Sequence, residues 1–281
     1  MQLTITPLSD LLGARITGAG PSQLTEDDVA RQVHDALLRH SVLVFPRLFI
    51  SDDDLVALGH QLGQVVELPS GSLEGHPGIM VITRDPAVNP LAEMLTANDF
   101  WHTDGTSYER PDKATLLTAR NAPDPGEGDT EFASTYAAYE ALPDEEKERY
   151  AGLHVRHSIA SIQRCVFPNP TDEQLARWSQ VPIREHPLVW RRSDGRASLL
   201  IGQTAEAIVG MPEAESTALI AHLNEWATQP RFTVTHQWEE GDLVIFDNTA
   251  LLHRSRPYQP TSPRRMHRTT LRGEEAVEAA G

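Results

Sequence analysis

The triplet His102-Thr103-Asp104 is the one His-x-Asp or His-x-Glu sequence in this chain of 281 residues. With 12 histidines and 40 acidic residues, chance alone gives about two such triplets, so the triplet by itself does not indicate a metal site. Its spacing nevertheless suits one. On an extended strand, residues i and i+2 point to the same side, so an imidazole and a carboxylate could reach one ion. We therefore expect a strand at 102–104, from which both side chains could face one ion if a third ligand comes from elsewhere in the chain.

His253 is the strongest candidate for a third ligand, because it ends the apolar stretch GDLVIFDNTALLH and begins an arginine-rich segment. Two histidines and one carboxylate leave three octahedral positions free. This set is typical of non-haem Fe(II) oxygenases, in which a co-substrate and O₂ fill the free positions. Four histidines fall in helical patterns and are expected to be structural or exposed: His34, His40, His60 and His222. The sequence pattern does not exclude the remaining histidines as metal ligands: His76, His154, His157, His186, His236 and His267.

The segment from His253 to Arg272 is strongly basic in an acidic chain of net charge −16. It contains no Asp or Glu and six arginines: Arg254, Arg256, Arg264, Arg265, Arg268 and Arg272. Charge alone is compatible with a site for small anions and with a solvated strand that pairs with acidic surface groups. If the segment is a strand, Arg264 and Arg268 share one face of it and can line the same pocket.

Composition places the chain among ordinary globular proteins, with 40% hydrophobic and 23% charged residues. The negative net charge argues against binding to nucleic acid or to an anionic membrane. A lone cysteine, Cys165, excludes an internal disulfide and a CxxC metal site. The N-terminus lacks a signal-peptide pattern, and no apolar run approaches the roughly 20 residues that span a bilayer. We expect a cytoplasmic protein.

The elements that must position these residues are mainly strands. Strands are predicted for LTITPL, SVLVFPRLFI, ATLLTARNA, PLVW, ASLLIG and GDLVIFDN, and residues 66–100 read as loop and short strand. Helices are predicted for 26–40 with Thr25 as N-cap, for SDDDLVALGHQLG, for two segments around Pro143 and for EAESTALIAHLNEWATQ. The pattern predicts a single β-rich (α+β) domain over 1–281, a double-stranded β-helix (jelly roll) with helical decoration.

These motifs resemble the taurine dioxygenase / 2,4-dichlorophenoxyacetate dioxygenase family of Fe(II)/2-oxoglutarate enzymes. The resemblance runs from LTITPLSDLLGARITG to RRMHRTTL. It is strongest in NDFWHTDGTSYERP, GEGDTEFASTYAAYEALP, WATQPRFTVTHQWEEGDLVIFDN and LLHRSRPY…RRMHRTTL, the last three being nearer the chlorophenoxyacetate branch. It implies a jelly roll that uses Fe(II), 2-oxoglutarate and O₂.

Residue by residue, the resemblance implies a role for each part of the site. His102, Asp104 and His253 match the iron ligands. Thr130 and Arg264 match the threonine and the arginine that hold the distal carboxylate of 2-oxoglutarate. An arginine fork suits that carboxylate better than a lysine does.

On the substrate side, Arg268 matches the arginine that takes the anionic group of the substrate, and Asn98 matches a substrate-side asparagine. Two departures from the family pattern leave the lining of the substrate pocket undetermined. The stretch FDNTALLH stands where many relatives read WDNR, and residues 66–96, expected to cover the substrate, resemble the family only weakly.

The function that we infer from the sequence is hydroxylation of a small organic anion, with release of succinate and CO₂. A carboxylate such as an aryloxyalkanoate is favoured. The alternatives are a sulfonate or alkyl sulfate dioxygenase of the same family, and a non-catalytic jelly roll that binds 2-oxoglutarate or metal. Asp104 argues against a related halogenase, and a zinc hydrolase would leave Thr130 and the arginines without a role. No nucleic-acid or membrane partner is expected, and a homo-oligomer is compatible with the sequence.

Overall fold

The computed structural model describes residues 1–68 and 71–279. Its strands are β1 (Thr4–Pro7), β2 (Ala14–Thr17), β3 (Val42–Phe45), β4 (Ser72–Leu73), β5 (His76–Ile82), β6 (Ala114–Asn121), β7 (Thr130–Ser134), β8 (His154–His157), β9 (Arg184–Pro187), β10 (Val189–Arg191), β11 (Ala197–Leu199), β12 (Ala205–Ile208), β13 (Thr233–His236), β14 (Leu243–Asp247), β15 (Leu251–Ser255), β16 (Arg265–Leu271) and β17 (Glu278–Ala279). Its α-helices are α1 (Asp27–His40), α2 (Asp52–Leu62), α3 (Thr135–Glu140), α4 (Asp144–Tyr150), α5 (Ile159–Val166), α6 (Asp172–Trp178) and α7 (Glu213–Ala227). Short 3₁₀ helices cover Pro21–Thr25, Met94–Asp99 and Pro230–Phe232.

The chain is strand-rich and mixes strands with helices, as the sequence predicts. An eight-stranded sheet has the order β1-β2-β3-β14-β6-β16-β5-β4, and a second sheet has the order β13-β7-β15. Two further three-stranded sheets have the orders β11-β10-β17 and β12-β8-β9. The pairings are antiparallel except for that of β2 with β3.

Central strands of the eight-stranded sheet, such as β3 and β14, are buried on both faces, whereas the edge strand β1 is exposed. Strand alternation explains how both faces are covered. On β3, Leu43 and Phe45 pack with α1 and α2, whereas Val42 and Val44 pack with the opposite cluster. That opposite cluster joins the sheet to Phe132 of β7 and Leu251 of β15. The second sheet therefore covers the inner face of the large one, and the strands that carry the predicted site residues face each other across this layer.

Two local predictions are wrong. Glu26, not Thr25, precedes α1, and its side chain makes no capping bond, because Thr25 already belongs to the 3₁₀ helix that ends there. Residues 102–104 do not form a regular strand: His102 makes an isolated bridge, and a turn begins at Asp104. The sequence patterns also did not predict α5 and α6. Among the described residues, no helix is long and apolar enough to cross a membrane.

Candidate active site

His102 and His253 are joined through their backbones. The N–H of His102 donates to the carbonyl of His253 at 3.0 Å, and the reverse bond measures 2.9 Å. The two imidazole rings lie with centroids 4.3 Å apart. Strand β15 supplies His253, so the bridge ties the irregular segment around His102 to the second sheet. Two residues 151 positions apart are thereby held as neighbours.

Asp104 completes the group. Its carboxylate oxygens lie 3.7 Å from Nε2 of His102 and 3.8 Å from Nε2 of His253. One ligand atom from each of the three residues lies within 4.8 Å of the other two. The chain turns immediately afterwards, since Gly105 has φ +77 and a Cβ there would lie 2.3 Å from the amide nitrogen of Asp112. This turn, rather than a strand, brings the carboxylate to the imidazoles.

The protonation states of the group suit a metal ion. Burial raises the pKa of Asp104, but Arg268 and the two imidazoles outweigh it and hold that pKa at about 2. Burial, together with neighbouring His102, lowers the pKa of His253 to about 3. At neutral pH the carboxylate is therefore charged and the His253 imidazole is neutral, and these are the forms that ligate metals.

The surroundings fix the ligand side chains unequally. Nδ1 of His102 donates to the carbonyl of Phe100 at 2.7 Å, which leaves the Nε2 lone pair free for a metal. His253 has no such partner for Nδ1 within the described residues. Its ring is held instead by packing, with the Phe246 ring centroid 4.7 Å away and Phe132 beyond it.

The Asp104 carboxylate is steadied from β6 and β14. The hydroxyl of Thr115 lies 3.5 Å from Oδ2 of Asp104 and accepts a hydrogen bond of 3.0 Å from Nδ2 of Asn248. Because the oxygen of Thr115 already accepts, its single hydrogen is directed toward the carboxylate. Both partners are buried, at 0% and 1% exposure, so this contact is shielded from water.

A small cavity of about 40 Å³ lies beside the three ligands, and its lining includes Thr130 and Arg264. Arg264 is only 3% exposed, and its guanidinium forms no ion pair with any described residue. Nε donates to the carbonyl of Gly128 at 3.1 Å, and the guanidinium lies over the Tyr258 ring. Burial lowers the pKa of Arg264. A buried arginine without a carboxylate partner is costly, so this cavity is suited to an anion.

The arginine-rich segment therefore divides into two groups. Arg254 and Arg256 both pair with Glu131, at 2.6 and 2.9 Å, as expected for charges that pair with acidic groups. Arg264 and Arg268 line the small cavity without pairing with Glu131, as expected for an anion site. Arg254 lines the small cavity as well, but Glu131 already balances its charge. The predicted strand begins only at Arg265, with a register irregularity between Arg265 and Met266, so Arg264 lies just before the strand.

A larger cavity of about 220 Å³ adjoins two of the three ligands, His102 and Asp104, and also shares Leu95, Asn98 and Arg268 with the small one. Nη1 of Arg268 lies 3.6 Å from Oδ2 of Asp104. The rest of the lining has an apolar part that includes Leu91, Met94, Leu95, Ile159, Ile162 and Val181. It also has a polar part that includes Thr106, His157, Gln163 and Thr204. All seven predicted site residues thus line one or both cavities: Asn98, His102, Asp104, Thr130, His253, Arg264 and Arg268.

Sequence reasoning missed several groups around the site. Helix α5 contributes Ile159 and Ile162 to the large cavity, although no metal or charge motif marks it. Phe246 lines the small cavity, and its one signal in the sequence was that FDNTALLH departs from the expected family motif. Thr115 carried no signal, because a threonine inside an apolar strand usually reads as packing.

Known dioxygenases are similar to this chain over nearly its whole length. The (S)-phenoxypropionate/alpha-ketoglutarate-dioxygenase of Delftia acidovorans is 30% identical over 292 residues, which cover 99% of this chain and 98% of that protein. The alpha-ketoglutarate-dependent sulfate ester dioxygenase of Pseudomonas putida is 31% identical, covering 100% of this chain and 93% of that protein. The crystal structure of AAD-2 in complex with Mn(II) and N-oxalylglycine superposes with a TM-score of 0.84 at 31% identity, covering 99% of this chain and 100% of AAD-2.

The family model described as taurine catabolism dioxygenase TauD, TfdA family matches residues 4–270. Since the match covers nearly the whole chain, the resemblance seen in the sequence is confirmed. The chain belongs to the TauD/TfdA dioxygenase family.

Proposed function

We propose that this protein is an Fe(II)- and 2-oxoglutarate-dependent dioxygenase that hydroxylates a small organic anion and releases succinate and CO₂. The observation that carries the proposal is the buried guanidinium of Arg264, which has no ion-pair partner among the described residues and lines a cavity beside the His102, Asp104 and His253 donor set. A dicarboxylate that chelates a metal at one end and needs a counter-charge at the other fits both features.

Fe(II) is the proposed metal, held by His102, Asp104 and His253. The donor set fits it: two imidazoles and one ionised carboxylate, close together, are the set that non-haem iron oxygenases use. When bound, Fe(II) supplies the activation of O₂ that is coupled to oxidative decarboxylation of the 2-oxo acid. His102 is oriented through Phe100, and Asp104 through Thr115.

Thr130 and Arg264 are the proposed holders of the distal carboxylate of 2-oxoglutarate. The Thr130 hydroxyl is one neutral donor, whereas the arginine adds charge, so Arg264 should contribute more binding free energy. Leu117 and Phe246 line the same cavity and make part of its wall apolar. An apolar wall lowers the local dielectric, which strengthens the interaction between the guanidinium and the carboxylate.

Arg268 is proposed to bind the anionic group of the substrate, and Asn98 lines the same large cavity. The apolar part of that cavity suits a hydrocarbon or aromatic body next to a charged head. A carboxylate is the first choice, in line with the phenoxypropionate dioxygenase among the relatives. A sulfate ester is the alternative, because a relative of similar identity is a sulfate ester dioxygenase.

The proposal includes the remaining sequence-based expectations. The facing sheets are those of a double-stranded β-helix, in which the antiparallel pairings β14–β6, β6–β16 and β7–β15 carry the site. One domain over 1–281 in the cytoplasm is the arrangement that we propose.

The test is a succinate-release screen with Fe(II) and 2-oxoglutarate across aryloxyalkanoates, alkyl sulfates, sulfonates and amino acids. We expect an anionic compound to accelerate succinate formation and to be oxygenated in the same amount. Binding of 2-oxoglutarate without any turnover across the panel would instead favour the non-catalytic jelly roll.

A further inference from the structure

Trp238 does not itself line the small cavity, but it contacts Thr130, which does. It lies in the loop between β13 and β14, is 6% exposed, and packs in the cluster between the two facing sheets. Its indole Nε1–H donates to Oγ1 of Thr130 at 3.0 Å, in a contact that is buried on both sides. The two residues are 108 positions apart. The mechanism above assigns Trp238 no role.

The bond constrains the Thr130 hydroxyl. An indole N–H is a donor only, and a threonine hydroxyl has one hydrogen and two acceptor lone pairs. Since the oxygen accepts from Trp238, the hydroxyl hydrogen must point elsewhere. Among the described residues that hydrogen has no protein acceptor, and Thr130 lines the small cavity. The hydrogen is therefore available to a ligand in that cavity.

The loop that carries Trp238 is itself held. The Trp238 ring meets the His236 ring edge-on at 4.5 Å, and Nε2 of His236 lies 3.0 Å from Oδ2 of Asp242. Asp242 also accepts the backbone N–H groups of Arg47 at 2.8 Å and of Glu239 at 3.0 Å. The indole is thus fixed before any ligand binds, which is what an orienting group requires.

We propose that Trp238 is a positioning residue for recognition of the distal carboxylate of the co-substrate. It acts through Thr130 by directing that hydroxyl into the cavity and by polarising it as a donor. The inference rests on the proposed function, because it presupposes a dicarboxylate that reaches Thr130. It predicts a defect that is specific to the distal carboxylate and leaves the metal-chelating end unaffected.

The test compares two ligands of the Mn(II)-loaded protein by calorimetry. N-Oxalylglycine carries a chelating end and a distal carboxylate, whereas oxamate has only the chelating end. Trp238→Phe keeps a ring and removes the N–H donor. We expect it to weaken N-oxalylglycine roughly three- to tenfold, as for one neutral hydrogen bond, and to leave oxamate unchanged. Trp226→Phe is the matched control, since it removes a Trp N–H bond of 2.9 Å to a carbonyl far from the cavity.

A double variant separates positioning from packing. If Trp238 acts through Thr130, adding Trp238→Phe to Thr130→Val should produce no further loss of N-oxalylglycine affinity. Equal losses for both ligands, additive losses in the double variant, or no loss in Trp238→Phe would overturn the inference. If the wild-type protein bound N-oxalylglycine no better than oxamate, the proposed site for the distal carboxylate would be refuted, and the proposed function with it.

A measurement on the wild-type protein avoids dependence on the folding of Trp238→Phe. The chain has five tryptophans, so its indole N–H resonances form a small set. In the Zn(II)-loaded protein, Thr130→Val identifies the Trp238 resonance by shifting it. N-Oxalylglycine, but not oxamate, should shift the same resonance. No shift with N-oxalylglycine would count against the coupling.

Discussion

Replacing Arg264 with methionine separates ligand recognition from fold stability. The change keeps a flexible, unbranched stem, although a shorter one, and removes the charge. Arg264 is 3% exposed; its guanidinium donates to the carbonyl of Gly128, lies over the Tyr258 ring and has no ion pair with a described residue. A charge-assisted hydrogen bond is worth roughly 1.5–3 kcal/mol, so we expect 2-oxoglutarate to bind about 10- to 150-fold more weakly.

The same substitution should not destabilise the ligand-free protein. A buried charge without a partner carries a desolvation cost, and Arg264→Met removes that cost. The bond to the Gly128 carbonyl is lost in exchange, and a typical neutral hydrogen bond is worth about 1 kcal/mol. We therefore expect an unliganded Tm equal to or above that of the wild type. An arginine with a purely structural role would give the opposite result, a lower Tm with normal ligand binding.

Thermal unfolding of the Mn(II)-loaded protein, with and without 2-oxoglutarate, measures both effects. At 100 times the wild-type Kd, the ligand should stabilise the wild type by about 2.7 kcal/mol. The same concentration should give about 1.4 kcal/mol if Kd rises tenfold and about 0.3 kcal/mol if it rises 150-fold. Arg265→Met is the matched control, because Arg265 lines neither cavity. Normal ligand stabilisation in Arg264→Met with a loss in Arg265→Met would transfer the assignment to Arg265.

Four further changes test the rest of the site. Gly128→Ala places a Cβ 2.8 Å from Cδ of Arg264, at a backbone φ of +63 that disfavours alanine. It should raise the Kd for 2-oxoglutarate on the order of tenfold, whereas an unchanged Kd would show that Arg264 moves aside without loss of binding. Arg268→Ala should weaken substrate binding and spare uncoupled 2-oxoglutarate decarboxylation; equal turnover of a substrate acid and its methyl ester by the wild type would refute the role of Arg268. Thr115→Val should lower Mn(II) affinity about 10- to 100-fold while Thr115→Ser retains it, as measured by metal titration. Burial, with neighbouring His186, lowers the pKa of His157 to about 3 from an ordinary 6.5. As the pH falls, the His157 imidazole is therefore protonated in the unfolded chain before it is protonated in the folded one. Stability present above pH 6.5 should therefore fall as the pH drops toward 3, by up to about 1.4 kcal/mol per pH unit, and His157→Gln should make the profile of unfolding free energy against pH shallower.

Local patterns predicted most of the helices and the long apolar strands, but not strands such as β7, β8, β9, β12 and β13. The apolar run of β3 and the acidic first turns of α1 and α2 are properties of neighbouring residues, so they can be read directly. The same holds for the seven site residues, which the family resemblance marks by short motifs. The motifs identify candidate residues, and the role of each residue is tested by its substitution.

Long-range contacts could not be predicted in the same way. The bond between Trp238 and Thr130 depends on the register of β13 with β7, and no pattern in either segment specifies that register. The turn after Asp104 depends on how closely the backbone of Asp112 approaches Gly105. A two-residue spacing matches a strand equally well, and for this reason the predicted strand at 102–104 was wrong.

The most direct test of the account follows the oxygen atoms. The wild-type protein, Fe(II), 2-oxoglutarate and an active substrate from the screen are incubated under heavy-isotope O₂, and succinate is analysed by mass spectrometry. We predict that one labelled oxygen enters each succinate, that oxygenated product forms in equal amount, and that His102→Ala, Asp104→Ala and His253→Ala form no succinate. Succinate without label, product formed without consumption of 2-oxoglutarate, or wild-type succinate formation in any of the three variants would contradict it.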